Sequence, residues 1–188
     1  MIKAVVIGAS YGGLEAIGKI LIQLPPKFDI PIIIVLHIGH NTINSYLTSL
    51  NNKSGFTVKE AEEKEIIEEK TVYFAPPNYH LQVEDEFSLS LSTDEKVNFS
   101  RPAIDVLFET AAWTFKNKLI GVLLTGSNSD GAEGIKIIKK YGGKTIVQNP
   151  KTALGKTMPD SAIKLSVPGF IVDLEDIAEK ILELTMEN

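Results

Sequence analysis

Four short runs, "IKAVVIG", "IPIIIVLH", "LIGVLLTG" and "GKTIVQN", are nearly continuously apolar and rich in β-branched residues. Runs of this length between turn residues read as strands buried on both faces, the kind found in parallel sheets. Between them the pattern turns helical. Residues 12–24 put Leu14, Ile17, Ile20 and Leu21 on one stripe before Pro25-Pro26 stops it. Residues 102–115 do the same with Ile104, Leu107, Phe108 and Ala111, with Pro102 in the first turn. Residues 132–140 and 174–186 are further helix candidates. This alternation predicts an α/β fold, a doubly wound and mostly parallel sheet with helices on both faces. "TVYFAPPNYHLQVEDEFSLSLS" breaks the alternation: short runs around Glu84-Asp85-Glu86 predict a small antiparallel hairpin added to the sheet. No repeat, low-complexity tract or linker divides residues 1–188, so a single domain is expected.

Composition narrows the chemistry. Without cysteine there are no disulfides, iron–sulfur clusters or thiolate zinc sites, and Ser, Thr or a carboxylate is left as nucleophile. A net charge of −5 argues against nucleic acid as main partner. The acidic stretch "KEAEEKEIIEEK" is interspersed with Lys and reads as a solvated connection or hairpin. No apolar run approaches the ~20 residues of a membrane span, and Met1-Ile2-Lys3 leads straight into a strand without a leader pattern, so a cytoplasmic protein without membrane insertion is expected.

The glycine-rich turn after the first strand, "GASYGG", admits two readings. As a dinucleotide fingerprint it is defective: Ser10 stands where the second glycine should be. The second strand also ends at His37 rather than at an acid for the ribose, and the nearby Asp29 precedes that strand. Gly8-Ala9-Ser10-Tyr11-Gly12 does match Gly-x-Ser-x-Gly, in which a strained strand-to-helix turn exposes a nucleophile. By itself the match is weak, because Ser in such turns commonly caps a helix.

The ends of the other strands strengthen it. Functional groups of open α/β sheets gather at the carboxyl ends of the strands. Ser10 follows the first strand, His37 ends the second, and Asp130 follows "LIGVLLTG". These are the parts of nucleophile, base and orienting acid. Blander readings make His37 a satisfied half-buried histidine and Asp130 a cap for the helix that begins at Gly131-Ala132. His40 and His80 lack metal-ligand spacing and read as surface or locally hydrogen-bonded residues.

"IGASYGGLEAI", "PIIIVLHI", "VYFAPPNYHL", "SRPAIDVLF", "GVLLTGSNSDGAEG" and "IVQNPKTALGKTMPDSAI", in this order, resemble the catalytic domain of the chemotaxis protein-glutamate methylesterases (CheB), from about residue 2 to residue 185. The resemblance implies an α/β domain that hydrolyses glutamate γ-methyl esters on cytoplasmic helices of methyl-accepting chemoreceptors, with deamidation of receptor glutamines as a second activity. It puts the nucleophile on Ser10, the histidine on His37 and the aspartate on Asp130. The expected oxyanion donors are the backbone N–H groups of Tyr11 and Ser127, and Arg101 and Met158 are candidate substrate contacts. No metal or organic cofactor is expected. Tyr11 stands where the family commonly has threonine, and Ser127-Asn128-Ser129 where Met-Gly-Asn is usual; Lys156-Thr157 also departs from the family's aromatic position. The family's receiver domain has no counterpart ahead of the first strand, so either a separate receiver protein regulates the enzyme or activity is constitutive and controlled by amount. A non-catalytic binding or scaffold module of the same fold is the alternative.

Overall fold

The structure is a computed structural model that describes residues 1–38 and 43–186; His40 lies outside the described residues. Its centre is a seven-stranded sheet in the order β3-β4-β2-β1-β7-β8-β9, parallel throughout. The four apolar runs supply β1 (Ala4–Ala9), β2 (Ile32–Leu36), β7 (Leu119–Leu123) and β8 (Lys144–Gln148). The flanking strands are β3 (Thr57–Glu60), β4 (Thr71–Phe74) and β9 (Phe170–Val172).

Alternation along the strands sends side chains to two cores. Val5, Ile7, Ile32 and Ile34 meet α1 (Gly13–Gln23), α2 (Ile43–Ser54) and α6 (Ile177–Met186) on one face. Val6, Ile33 and Val35 meet α3 (Ile104–Phe115), α4 (Ala132–Lys140) and α5 (Thr157–Ser166) on the other. The antiparallel ribbon of β5 (His80–Val83) and β6 (Leu89–Ser92) packs on that second face through Leu81, Val83 and Leu89. β1 leads into a helix on one face, and its neighbour β7 leads into a helix on the other. A crevice therefore opens between their carboxyl ends, the usual ligand position in such sheets.

Several local expectations are corrected. Thr71–Phe74 is a fully buried strand of the parallel sheet rather than part of the hairpin, because it pairs with β2 and β3. α3 begins at Ile104, behind an extended Ala103, so Pro102 precedes the helix instead of lying in its first turn. Residues 157–166, around "KTMPDSA", form helix α5. Pro159 is tolerated there because N–H groups of a first turn have no intrahelical partner to lose. The acidic stretch is an exposed connection between β3 and β4, with Lys59 pairing Glu62 and Glu65.

β1 packs closely on α3. A Cβ added at Gly8 would lie 2.3 Å from Ile104 Cγ2. Gly8→Ala is expected to cost about 1–3 kcal/mol, the usual range for overpacking, read as a lower denaturant midpoint at unchanged slope.

Candidate active site

Hydrogen bonds continue beyond the strand ends and lace the crevice loops together. His37 N–H donates to Ala9 C=O (3.0 Å), Leu124 N–H to Gly8 C=O (2.9 Å) and Ser10 N–H to Thr125 C=O (2.9 Å). Thr125, which the sequence did not single out, is the knot of this network. Its Oγ1 donates to Tyr11 C=O (2.8 Å) and accepts from Gly155 N–H (2.8 Å), while its N–H donates to Gln148 Oε1 (2.9 Å). Backbone and buried side chains thus hold the Ser10 turn. Ser10 Oγ itself has no hydrogen-bond partner among the described residues.

The turn differs from a strained elbow in one respect. Ser10 is absent from the residues with positive φ; the left-handed residue is Gly12, at φ 82°, which also forms the N-cap of α1. An L side chain at Gly12 would be strained in that conformation, and its Cβ would meet Leu154 Cδ1 at 2.9 Å.

Asp130 is wholly buried. Its Oδ2 accepts from Ile104 N–H at 2.7 Å, and its Oδ1 accepts from Asp105 N–H at 3.1 Å and Asn98 Nδ2 at 3.0 Å. Two of these donors are first-turn N–H groups of α3. Asp130 therefore caps α3 across the chain, not the adjacent α4, whose N-cap Gly131 has no side-chain cap. Burial pushes the Asp130 carboxyl up, but the His37 ring beside it and the bonds from Ile104 N–H, Asn98 and Asp105 N–H outweigh it and hold the group below its ordinary value. Asp130 is thus an ionised carboxylate at neutral pH.

His37 faces this carboxylate: its Nε2 lies 3.0 Å from Asp130 Oδ2. That is an ion-pair distance, but the ring N–H is not aligned on the oxygen as a full hydrogen bond requires. Nδ1 lies 3.4 Å from Asn128 Nδ2. Asn128 Oδ1 accepts from Asp130 N–H at 3.2 Å, which turns the amide nitrogen toward His37. Facing a donor, Nδ1 is the accepting nitrogen, and the proton belongs on Nε2 beside Asp130.

Asp105 answers Asp130 from α3, with Oδ1 accepting from Gly134 N–H at 2.7 Å in the first turn of α4. Each helix is thus capped by a carboxylate from the start of the other. Burial first, then the nearby Asp130 charge, raises the Asp105 carboxyl to about 6 against bonds from Gly134, Asn98 and Gly131 that lower it. Carbon-detected NMR titration is expected to show Asp105 inflecting near 6. The native state then holds this proton better than the unfolded chain does. The Asp105 contribution to stability is full below the ordinary 3.8 and is lost as pH rises through about 6.

His37 opens on a cleft of about 370 Å³ that Lys96, Phe99, Arg101 and Pro102 also line. Arg101 Nη1 is committed to the carbonyls of Thr93 (2.6 Å) and Asp94 (2.9 Å), so it braces the cleft wall, while its buried Nε has no partner. Met158, a candidate contact from the sequence, has no exposed surface. It is fully buried beneath the Ser127 turn, where its Cε would lie 2.5 Å from a Cβ at Gly126, and it supports that turn from inside. Tyr11 is exposed, and neither its N–H nor that of Ser127 donates to a protein acceptor among the described residues. His80 is buried: Nδ1 accepts from Ala103 N–H (3.2 Å) and Nε2 meets Glu95 C=O (3.0 Å). Among the described residues no group of three or more His, Asp or Glu is arranged to hold a metal ion. A larger groove of about 800 Å³ lies where the strands begin, among Ile2, Phe28, Pro31 and Phe115. It contains none of Ser10, His37 and Asp130.

The sequence profile of the CheB methylesterase family matches residues 5–181. The chain belongs to the CheB methylesterase family. The crystal structure of the CheB methylesterase catalytic domain from Thermotoga maritima superposes with a TM-score of 0.92 at 35% identity, covering 98% of this chain and 99% of that one. A relative from Leptospira interrogans is 50% identical over 186 residues, which make up 99% of this chain and 96% of that protein. The protein-glutamate methylesterase/protein-glutamine glutaminase of Clostridium acetobutylicum is 33% identical over 183 residues, covering 97% of this chain. This chain spans 53% of that protein's length, about half. No helix among the described residues is long and apolar enough to cross a membrane.

Proposed function

We propose that this CheB-family chain is a serine hydrolase that removes methyl groups from glutamate γ-methyl esters on chemoreceptor cytoplasmic helices, and that it deamidates receptor glutamines by the same chemistry. The observation that carries the reading is the buried, ionised Asp130 against His37 Nε2, one strand from the Ser10 turn. The name of the Clostridium relative supports the substrate class.

Ser10 Oγ attacks the ester carbonyl carbon while His37 Nδ1 takes its proton, and Asp130 stabilises the imidazolium without becoming protonated. The tetrahedral oxyanion receives the N–H groups of Tyr11 and Ser127, which have no protein acceptor to give up. Collapse expels methanol, protonated by His37, and leaves an acyl-Ser10. Water activated by the same imidazole releases glutamate and regenerates Ser10. With glutamine as substrate the leaving group is ammonia. A direct Ser10–His37 hydrogen bond forms once substrate displaces the Asn128 amide from Nδ1; such contacts commonly tighten only in the substrate complex.

The test is methanol release from a methyl-esterified chemoreceptor cytoplasmic fragment, with ammonia release from its glutamine form run in parallel. Turnover of either supports the hydrolase. Binding of the fragment without turnover would favour a docking module of the same fold.

A further inference from the structure

Residues 97–100 form a tight turn in which Val97 N–H bonds Ser100 C=O (3.2 Å) and Ser100 N–H bonds Val97 C=O (2.9 Å). Both central residues are left-handed, Asn98 at φ 51° and Phe99 at φ 62°. Positive φ at both centres is the type I′ geometry, which asparagine and glycine adopt readily and a bulky aromatic does not. Phe99 is 98% exposed, so burial of its ring does not hold it in that conformation. Backbone bonds close the turn, and the Asn98 side chain ties it to Asp105 and Asp130.

The Asn98 amide nitrogen donates to Asp105 Oδ2 at 2.7 Å and to Asp130 Oδ1 at 3.0 Å. An amide has two N–H bonds, and here both are used, one on each carboxylate. The bridge joins two groups of like charge that would otherwise face each other across the α3–α4 junction. It also occupies Oδ1 of Asp130, while His37 faces Oδ2. With Asp105 N–H on Oδ1 and Ile104 N–H on Oδ2, the carboxylate cannot rotate without breaking a bond.

We propose that Asn98 is a positioning residue of the hydrolytic site: by bridging Asp105 and Asp130 it holds the Asp130 carboxylate in the orientation that presents Oδ2 to His37. The proposal rests on the serine hydrolase reading above. Asn98 touches no reacting atom and works through Asp130 on His37. Three carboxylates and an imidazole would meet at this point if Asn98 were acidic: position 98 itself, Asp105 from α3, Asp130 from the loop before α4, and His37 from the end of β2. Glu133 on α4 and Lys164 on α5 line the small pocket beside Asn98 and Asp105.

Asn98→Gly separates this role from turn formation. Glycine adopts the left-handed conformation without cost, so the turn is preserved while the amide is lost. The expected result is a kcat lower by about 10- to 100-fold, the penalty of a slightly misplaced catalytic group, with KM near wild type and a thermal midpoint lowered because two carboxylates lose a donor. Labelling of Ser10 by a fluorophosphonate, followed by intact mass, should slow by a similar factor. In Asn98→Asp a donor becomes an acceptor among like charges, and its loss of labelling rate should shrink as pH is lowered and the new carboxyl gains a proton to donate. Wild-type labelling and turnover in Asn98→Gly would overturn the positioning role and leave the hydrolase reading standing. Absence of both labelling and turnover in the wild type would overturn the hydrolase reading, and the positioning role with it.

Discussion

Ser10→Ala is expected to lower methanol release from a methyl-esterified receptor fragment by a factor of about 10⁴–10⁶, the range seen when the nucleophile of a triad is deleted, with almost no change in stability. The two halves of that expectation have separate grounds. Activity falls because alanine has no atom to form the acyl intermediate, and the chain has no cysteine to replace it. Stability is spared because Oγ has no hydrogen-bond partner among the described residues. The backbone bonds of Ser10, N–H to Thr125 and C=O from Gly13, do not depend on the side chain. The unfolding free energy from denaturant titration should change by no more than about 0.5 kcal/mol. A near-wild-type rate would exclude Ser10 as nucleophile. A large loss of stability would mean that the hydroxyl is structural and leave the activity result ambiguous, so both measurements belong on one preparation.

Asp130→Asn should do the opposite and damage activity and stability together. Donors converge on this carboxylate from Ile104 N–H, Asp105 N–H, Asn98 and His37. A carboxylate accepts at both oxygens; an amide accepts at only one. If the new NH₂ faces the Oδ2 side, it opposes Ile104 N–H and donates to His37 Nε2. The ring proton then moves to Nδ1, and the nitrogen assigned as base becomes a donor. A wrong-tautomer histidine costs about 10⁴ in kcat. If the NH₂ faces the Oδ1 side, it opposes Asn98 and Asp105 N–H instead. Either way buried donors lose their acceptor, at roughly 1–3 kcal/mol for each group left unsatisfied. The expected outcome is a kcat down by about 10³–10⁴ together with a lower unfolding free energy. The stability gap between wild type and variant should narrow in acid. The depressed pKa of Asp130 contributes stability above its unfolded value, and that contribution is lost as pH falls through the folded one. Full activity in Asp130→Asn would remove Asp130 from the mechanism, whatever the stability did.

These variants differ because the two residues are held differently. Ser10 sits on a turn stitched by backbone and by Thr125, with its reactive atom left over. Asp130 is part of the framework, caps α3, and is returned the favour when Asp105 caps α4. Under the proposed mechanism, orientation of the base and cohesion of two helices depend on the same carboxylate, which makes its substitution costly twice.

Much of this was legible along the chain because the central strands are buried on both faces. Ala4–Ala9, Ile32–Leu36, Leu119–Leu123 and Lys144–Gln148 must be apolar almost continuously, so their ends mark where chemistry can surface, and Ser10, His37 and Asp130 stand at three of them. Where burial is one-sided or pairing is remote the pattern fades. α2 carries only Ile43, Leu47 and Leu50 on its inner face amid polar residues, and β3 buries only Val58. β4 looks like one arm of a hairpin until its partners are known, because strand periodicity reports burial and not which strand lies alongside. The sequence by itself determined the α/β alternation and the family, and it singled out Ser10, His37 and Asp130 as candidates. Only the tertiary structure decided that Asp130 caps α3 rather than its own helix, that Met158 lies beneath the Ser127 turn, and that Thr125, Gln148 and Asn98 join the network. Each of those facts is a contact between residues 20 or more positions apart. A side chain's type limits what it can bond, but which partner it meets is set by how the strands and helices pack.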